Sequence, residues 1–369
     1  MTWTMPAETS LHERTWMAWP SGSYTLGDSA AQADEARAAW AAVAHAVADH
    51  EPVSMLVPPH EAAAARRLLS SQVEQRVVNL LPAELDDAWY RDTGPTFVVD
   101  EAAGTLGAVD WVFNGWGQQD WARWDLDRYA ARPAIEASGA HAVPSTMVNE
   151  GGGLHTDGRG TVLVTRTVQL DPLRNPGWTP AQVEAELART LGARTVIWLP
   201  RGLARDSERY GTKGHVDLVA TFPEPGVLLV HDQRHPAHPD HALTSEVVAL
   251  LEAGTDADGR PLRVVRLPAP VTLRDDEGWV DWSYVNHVVV NGAVVACAFD
   301  DPGDDEAADI LAAAYPGREV VRVDARPLFA RGGGIHCITQ QQPARPPQPS
   351  PSLPATSRPA TPPAPGGRP

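Results

Sequence analysis

The sequence predicts one mixed α/β domain over residues 1–342, followed by a proline-rich tail. Three observations support this. Strand and helix signals alternate along the chain with no break in between. Hydrophobic residues make up 43% and charged residues 21%, enough apolar material for a sizeable core. The segment 343–369 holds 11 of the 34 prolines, with no acidic and no aromatic residue. Such a segment cannot bury enough apolar area to offset its ordering entropy, so 343–369 reads as disordered.

The elements follow in order. Ala30 to Ala48 is alanine-rich with helical spacing and reads as an amphipathic helix. Val53 to Val57 is a short apolar run ended by two prolines, which predicts a strand. Glu61 to Ser70 reads as helix, and Thr96 to Val99, Thr161 to Thr165 and Gly226 to Val230 as buried strands. Pro180 to Leu191 opens on Thr179–Pro180, a cap followed by proline in the first turn, and predicts a helix. Val285 to Val295 reads as two strands joined at Asn291–Gly292. Asp304 to Ala314 reads as helix and Glu319 to Val323 as strand.

Charge narrows the partners. Basic minus acidic residues gives 30 − 47 = −17. This sign disfavours nucleic acid and anionic membrane and favours small cations. No apolar run reaches the roughly 18 residues of a membrane span. The first residues lack the basic-then-apolar order of a secretory signal. Two cysteines, Cys297 and Cys337, cannot form a disulfide framework, so free thiols in a reducing cytoplasm are expected.

Four polar clusters stand beside apolar runs. Asp86 to Pro95 (DDAWYRDTGP) is either a solvated acidic turn or a carboxylate beside an aromatic wall, suited to a planar cation. Asn149 to Gly153 has glycines but no phosphate-loop pattern, and Glu150 would repel phosphate. In Gly214-His215-Val216-Asp217, an extended strand would put His215 and Asp217 on one face. In Gly332 to Thr339, Cys337 follows a glycine corner, where a thiol is either an accessible nucleophile or a buried inert group. Cys297 lies in a plain apolar run and reads as core. No zinc-ligand spacing occurs, so a metal site is not expected. Residues 150–156 (EGGGLHT) and 331–337 (RGGGIHC) echo each other, suggesting two equivalent corners.

Together these stretches resemble the agmatine deiminase family of the guanidine-modifying superfamily. The carriers are DDAWYRDTGPTFV, VNEGGGLHTD, WLPRG, GHVD, WSYVNHVVVNG and GGGIHCITQQQP, in family order over most of 1–343. The resemblance implies a fivefold pseudo-symmetric α/β propeller of ββαβ modules around a central channel. It implies hydrolysis of agmatine to N-carbamoylputrescine and ammonia, a step within polyamine and putrescine biosynthesis, without metal or organic cofactor, by enzymes that often form homo-oligomers. Residue by residue, it puts the nucleophile on Cys337, the general acid/base on His215 and its orienting carboxylate on Glu150. The guanidinium-binding carboxylates fall on Asp92 and Asp217, and an aromatic wall on Trp89. A peptidylarginine-type or other guanidino-compound deiminase is the alternative on the same residues. Three departures touch the channel lining: Gly334 stands for a frequent Asn, Leu218 for another, and 205–213 looks longer and more basic.

Overall fold

The computed structural model describes residues 1–22 and 24–347. Local chemistry explains the two long helices that the sequence announces. Ala30–Ala48 begins where the Ser29 hydroxyl accepts the Gln32 N–H. It buries Ala36, Trp40, Val43 and Val47, one side of the helix. Pro180–Leu191 begins with a complete capping box between Thr179 and Gln182 and stops at Gly192, whose φ of +72° is the left-handed cap glycine provides.

Five sheets share one plan: an antiparallel strand pair, a helix, then a strand parallel to the second of the pair. In the first, Thr96–Asp100 and Thr105–Val112 pair, Ala131–Ser138 crosses over, and His141–Val148 returns parallel. The same order runs through Leu154–Thr156, Thr161–Thr165, Pro180–Leu191 and Thr195–Leu199. It recurs in Ala220–Glu224, Val227–Asp232, Asp240–Glu252 and Arg263–Pro268. It recurs again in Val288–Val290, Ala293–Ala298, Asp304–Ala314 and Glu319–Asp324. The fifth sheet joins the two ends of the chain. Thr339–Pro343 pairs with His12–Ala18, the helix Ala30–Ala48 follows, and Val53–Val57 returns, extended by Val78–Pro82. Parallel strands need such a crossover, and the helix covers one face of its sheet.

The leading strand of each unit is buried along nearly its whole length. Thr339–Pro343 shows what this demands of polar residues. Its Gln342 accepts the Trp16 indole N–H at 2.9 Å, and its Gln341 accepts from Arg91 at 2.7 Å. A buried amide without such partners would cost about 1–3 kcal/mol.

Several expected boundaries move. The helix expected over Glu61 to Ser70 is Ala62–Leu68, entered through the 3-10 turn Pro59–Glu61 and followed by Ser70–Glu74. The hairpin expected from Val285 begins only at Val288, because 284–287 forms a turn. The tail boundary also shifts. Pro343 is a strand residue and the Ala344 N–H donates to the Leu11 carbonyl at 2.8 Å. The remainder of the expected tail, 348–369, lies outside the described residues. Among the described residues, no helix is long and apolar enough to cross a membrane.

Candidate active site

The five units deliver polar residues at one repeated place, the turn just before the leading strand. Asp92 precedes Thr96, Glu150 and Gly152 precede Leu154, and His215 and Asp217 precede Ala220. Asn286 precedes Val288 and Cys337 precedes Thr339. A turn at a strand end can aim a side chain off a rigid scaffold, which is where functional groups concentrate.

Asp92 sits in the short helix Tyr90–Thr93 and is buried. One carboxylate oxygen accepts the Trp116 indole N–H at 2.8 Å and the other the Gly152 N–H at 3.1 Å. Trp116 reaches it from a left-handed backbone, φ +54°, between Gly115 and Gly117. A non-glycine residue pays about 1–2 kcal/mol for that conformation. The Asn114 side chain holds the turn by accepting the Gly117 N–H at 3.0 Å. Burial, with Asp217 and Glu150 nearby, raises the Asp92 carboxyl to about 6, against the opposing pull of His215.

His215 is fixed from two sides. Asp206 accepts the backbone N–H groups of Thr212, Gly214 and His215 at 2.7, 2.8 and 2.9 Å, which shapes the turn. The ring Nε2 lies 3.1 Å from Glu150 and donates to it, while Nδ1 lies 3.7 Å from Asp92 without a hydrogen-bond partner. Burial opposes its charge, but Asp92 and then Glu150 and Asp217 overcome this and lift the imidazolium to about 9. Glu150 is fully buried, yet Arg174 at 3.0 Å and His215 hold it ionised at about 2. Arg174 is itself spent on Asp171 at 3.0 Å and the Thr212 carbonyl at 2.7 Å. The only lysine, Lys213, pairs at 2.8 Å with the same Asp171 oxygen that Arg174 meets.

Asp217 and Cys337 form the opposite wall. Asp217 Oδ2 lies 2.7 Å from His336 Nδ1 and 3.7 Å from Cys337 Sγ, while Oδ1 is buried without a partner. Against its burial, His336 holds this carboxyl below its ordinary value. The Asn286 amide donates to Cys337 Sγ at 3.3 Å, and its oxygen accepts the His336 N–H at 3.0 Å. Burial first, then Asp217 and Asp92, push the Cys337 thiol well above its ordinary range. Free Cys297 is buried in Ala293–Ala298, as expected of core.

The two glycine corners now have a physical reason. A Cβ on Gly152 would lie 2.6 Å from His215 Nδ1, 2.9 Å from Asp92 and 3.2 Å from Asp217. A Cβ on Gly333 would lie 2.8 Å from the Trp89 ring and 3.0 Å from Cys337 Sγ. Each middle glycine keeps the gap between the reactive groups open. The site is thus a buried cluster of two carboxylates, an imidazolium, a thiol and an indole. Such a set accepts a flat cation through forked hydrogen bonds and brings a nucleophile to its face.

Comparison with known proteins agrees with this chemistry. The family described as Porphyromonas-type peptidyl-arginine deiminase matches residues 4–343. A Streptomyces coelicolor protein provisionally named agmatine deiminase is 56% identical over 344 residues, 93% of this chain and 99% of that one. The agmatine deiminase of Stutzerimonas stutzeri is 40% identical over 362 residues, 92% of this chain and 95% of its own. The chain belongs to the agmatine deiminase family. Its fold matches the solved Enterococcus faecalis agmatine deiminase with a TM-score of 0.86 at 30% identity, covering 93% of this chain and 96% of that one.

For this family member, one sequence expectation needs correction and two alternatives left open are decided. His215 and Asp217 do not share the face of an extended strand. His215 leads into the 3-10 turn Val216–Leu218, and the strand starts at Ala220. Cys337 is not an accessible thiol: it is 6% exposed, on the 3-10 turn His336–Ile338. Nor is Asp86 to Pro95 a solvated turn, since Tyr90 through Thr93 are all buried. Sequence reasoning missed Trp116, Arg174, Asp206 and Asn286. Asn114-Gly115-Trp116-Gly117 carried a turn signal that pointed to the first.

Proposed function

We propose that this enzyme hydrolyses the guanidinium of agmatine to N-carbamoylputrescine and ammonia through a covalent Cys337 intermediate. The observation that carries the reading is the shared gap at Gly152, which His215, Asp92 and Asp217 all face, with Cys337 against Asp217. A guanidinium is a resonance-stabilised cation and a poor electrophile, so dividing its hydrolysis into two displacements lowers the barrier. Asp92 and the free Oδ1 of Asp217 accept its N–H donors. Its positive charge offsets the two carboxylates that keep the thiol protonated, and the thiol proton is released as the guest binds. The thiolate then adds to the central carbon. His215, held as imidazolium, gives its proton to the departing amino group, and ammonia leaves with the C–N bond pair. The resulting S-alkylthiouronium is attacked by water, which gives one proton to His215; as the C–S bond breaks, the remaining hydroxyl proton passes to the departing sulfur, leaving the neutral carbamoyl product and the resting thiol. Positioning in such a pocket supplies part of the about 7–11 kcal/mol available from orientation.

Burial favours a small linear guest over an arginyl side chain on a peptide. Asp92, His215, Asp217 and Cys337 are all under 7% exposed. We infer further that the five units are arranged as a fivefold propeller, with this pocket at its centre. The five equivalent turns that converge on it support that arrangement. The single catalytic domain extends slightly past Gln342, a boundary that the strand residue Pro343 and the Ala344 N–H on the Leu11 carbonyl support, and the reducing environment its thiol needs suits the cytoplasm. Ammonia release from agmatine, free arginine and arginyl peptides tests the substrate. Agmatine is expected to exceed both others, and preference for the peptides overturns this reading in favour of a peptidylarginine-type activity.

A further inference from the structure

The two histidines of the glycine-corner echo, His155 and His336, have no part in the steps above. Their rings lie 6.3 Å apart, and both face one carboxylate, Glu8. Glu8 arrives on the N-terminal segment, which is tied down where Thr4 bridges Val99 and the Met5 N–H donates to the Leu191 carbonyl at 3.0 Å. Gly158 leaves room for this segment, because a Cβ there would lie 2.5 Å from the Ala7 nitrogen. His336 Nε2 is 2.8 Å from Glu8 and its Nδ1 2.7 Å from Asp217, so the ring bridges two carboxylates. Arg91 stands 3.4 Å from Glu8 Oε1, the same oxygen that His336 faces. The result is a buried row of alternating charge, Arg91, Glu8, His336, Asp217, that ends at the substrate pocket.

We propose that Glu8 and His336 are positioning residues that keep Asp217 ionised and turn its free oxygen toward the guanidinium. This rests on the deiminase reading of the site. His336 needs a proton on both nitrogens to satisfy both acids, and two buried carboxylates secure that proton. Burial and Arg91 work against the charge, but Glu8 and Asp217 outweigh them, and the imidazolium is held above its ordinary range. Asp217 needs this help. It shares the pocket with Asp92, and two carboxylates in one site otherwise retain a proton between them. The remaining charged or titratable neighbours are His215 and Cys337 on the Asp217 side and His155 and His287 around His336. With Oδ2 occupied by His336, Oδ1 is left as the acceptor for substrate.

Ligand atoms of Glu8, His155 and His336 lie within 4.8 Å of one another, a spacing a metal ion also accepts. The fixed Arg91 cation beside Glu8, and the direct Glu8–His336 hydrogen bond, favour the charge row instead.

The test is the pH dependence of kcat/KM in His336→Asn, which retains an N–H donor toward Asp217 but no charge. Without its imidazolium partner Asp217 titrates upward toward the range of Asp92, so the acid limb near 6 moves to higher pH and steepens, KM near pH 6 rises at least about tenfold, and kcat on the alkaline side stays within about threefold. A uniform loss of kcat with an unmoved limb overturns the proposal and leaves His336 a structural residue. Should that variant fail to fold, Glu8→Gln keeps the acceptor and removes its charge. Nitrogen-15 NMR of labelled histidine then shows His336 losing its proton at lower pH than in the parent enzyme; an unchanged titration overturns the link. Stoichiometric zinc in the parent protein, lost in Glu8→Gln, overturns it in favour of a metal centre. Absence of ammonia release by the parent enzyme itself would instead sink the deiminase reading.

Discussion

Gly152→Ala is the sharpest steric perturbation of the site. The backbone there is not left-handed, so alanine meets no conformational penalty, and any effect is contact. Its methyl would stand 2.6 Å from His215 Nδ1, whereas ordinary contact begins at 3.4 Å, so 3.4 − 2.6 = 0.8 Å must be found. The imidazole cannot retreat freely, because its other nitrogen is bonded to Glu150, itself locked by Arg174. Asp92, at 2.9 Å, is tied to Trp116 and to the Gly152 N–H. Displacements approaching 1 Å in a reacting constellation cost about 100-fold, or about 2.7 kcal/mol of barrier. Forcing a methyl into packed space also destabilises folding by about 1–3 kcal/mol. The assay is kcat/KM for ammonia release, with thermal unfolding alongside. Gly22→Ala serves as control, since its nearest neighbour would lie at 3.7 Å. Activity of Gly152→Ala within about threefold of the parent refutes the view that this glycine holds the pocket open.

Other predictions follow from the same geometry. Cys337→Ala abolishes ammonia release, while Cys297→Ala keeps most of it; turnover in the first variant ends the covalent scheme. The pH profile of kcat/KM is bell-shaped, falling below about 6 as Asp92 takes up a proton and above about 9 as His215 loses its own. The sign for stability is separate: the raised His215 contributes fully below its unfolded value of about 6.5, and this is lost as pH rises through about 9, so an unfolding titration should show a decline there. Arg174→Met leaves Glu150 buried without its guanidinium, which costs about 3–5 kcal/mol; chemical denaturation reads the loss, and an unchanged midpoint contradicts the assignment.

Much of this was legible where the determinants are local. The helices Ala30–Ala48 and Pro180–Leu191 declared themselves through alanine content, caps and a first-turn proline. His12–Ala18 gave no comparable signal, because its HERTWMA pattern mixes charge with apolar bulk and its partners lie 38 to 331 residues away along the chain, as in Thr15–Val53 and His12–Pro343. The chemical residues stood out by type and by their resemblance to a known family. Their supports did not. Trp116 depends on a left-handed turn, Asn286 was hidden by extending a strand too far back, and Glu8 is one acid among 47 until the fold brings it to His336. The glycine echo was visible, but its meaning lay in the neighbours of the two middle glycines, which only packing reveals.

The most direct measurement is rapid-quench mass spectrometry of the enzyme mixed with agmatine, followed by peptide mapping. The proposed chemistry predicts a transient adduct, substrate less ammonia, on the peptide carrying Cys337, appearing and decaying within one turnover. Ammonia released in the first turnover of the parent enzyme with no such adduct at any time point, or an adduct found on Cys297, would contradict it.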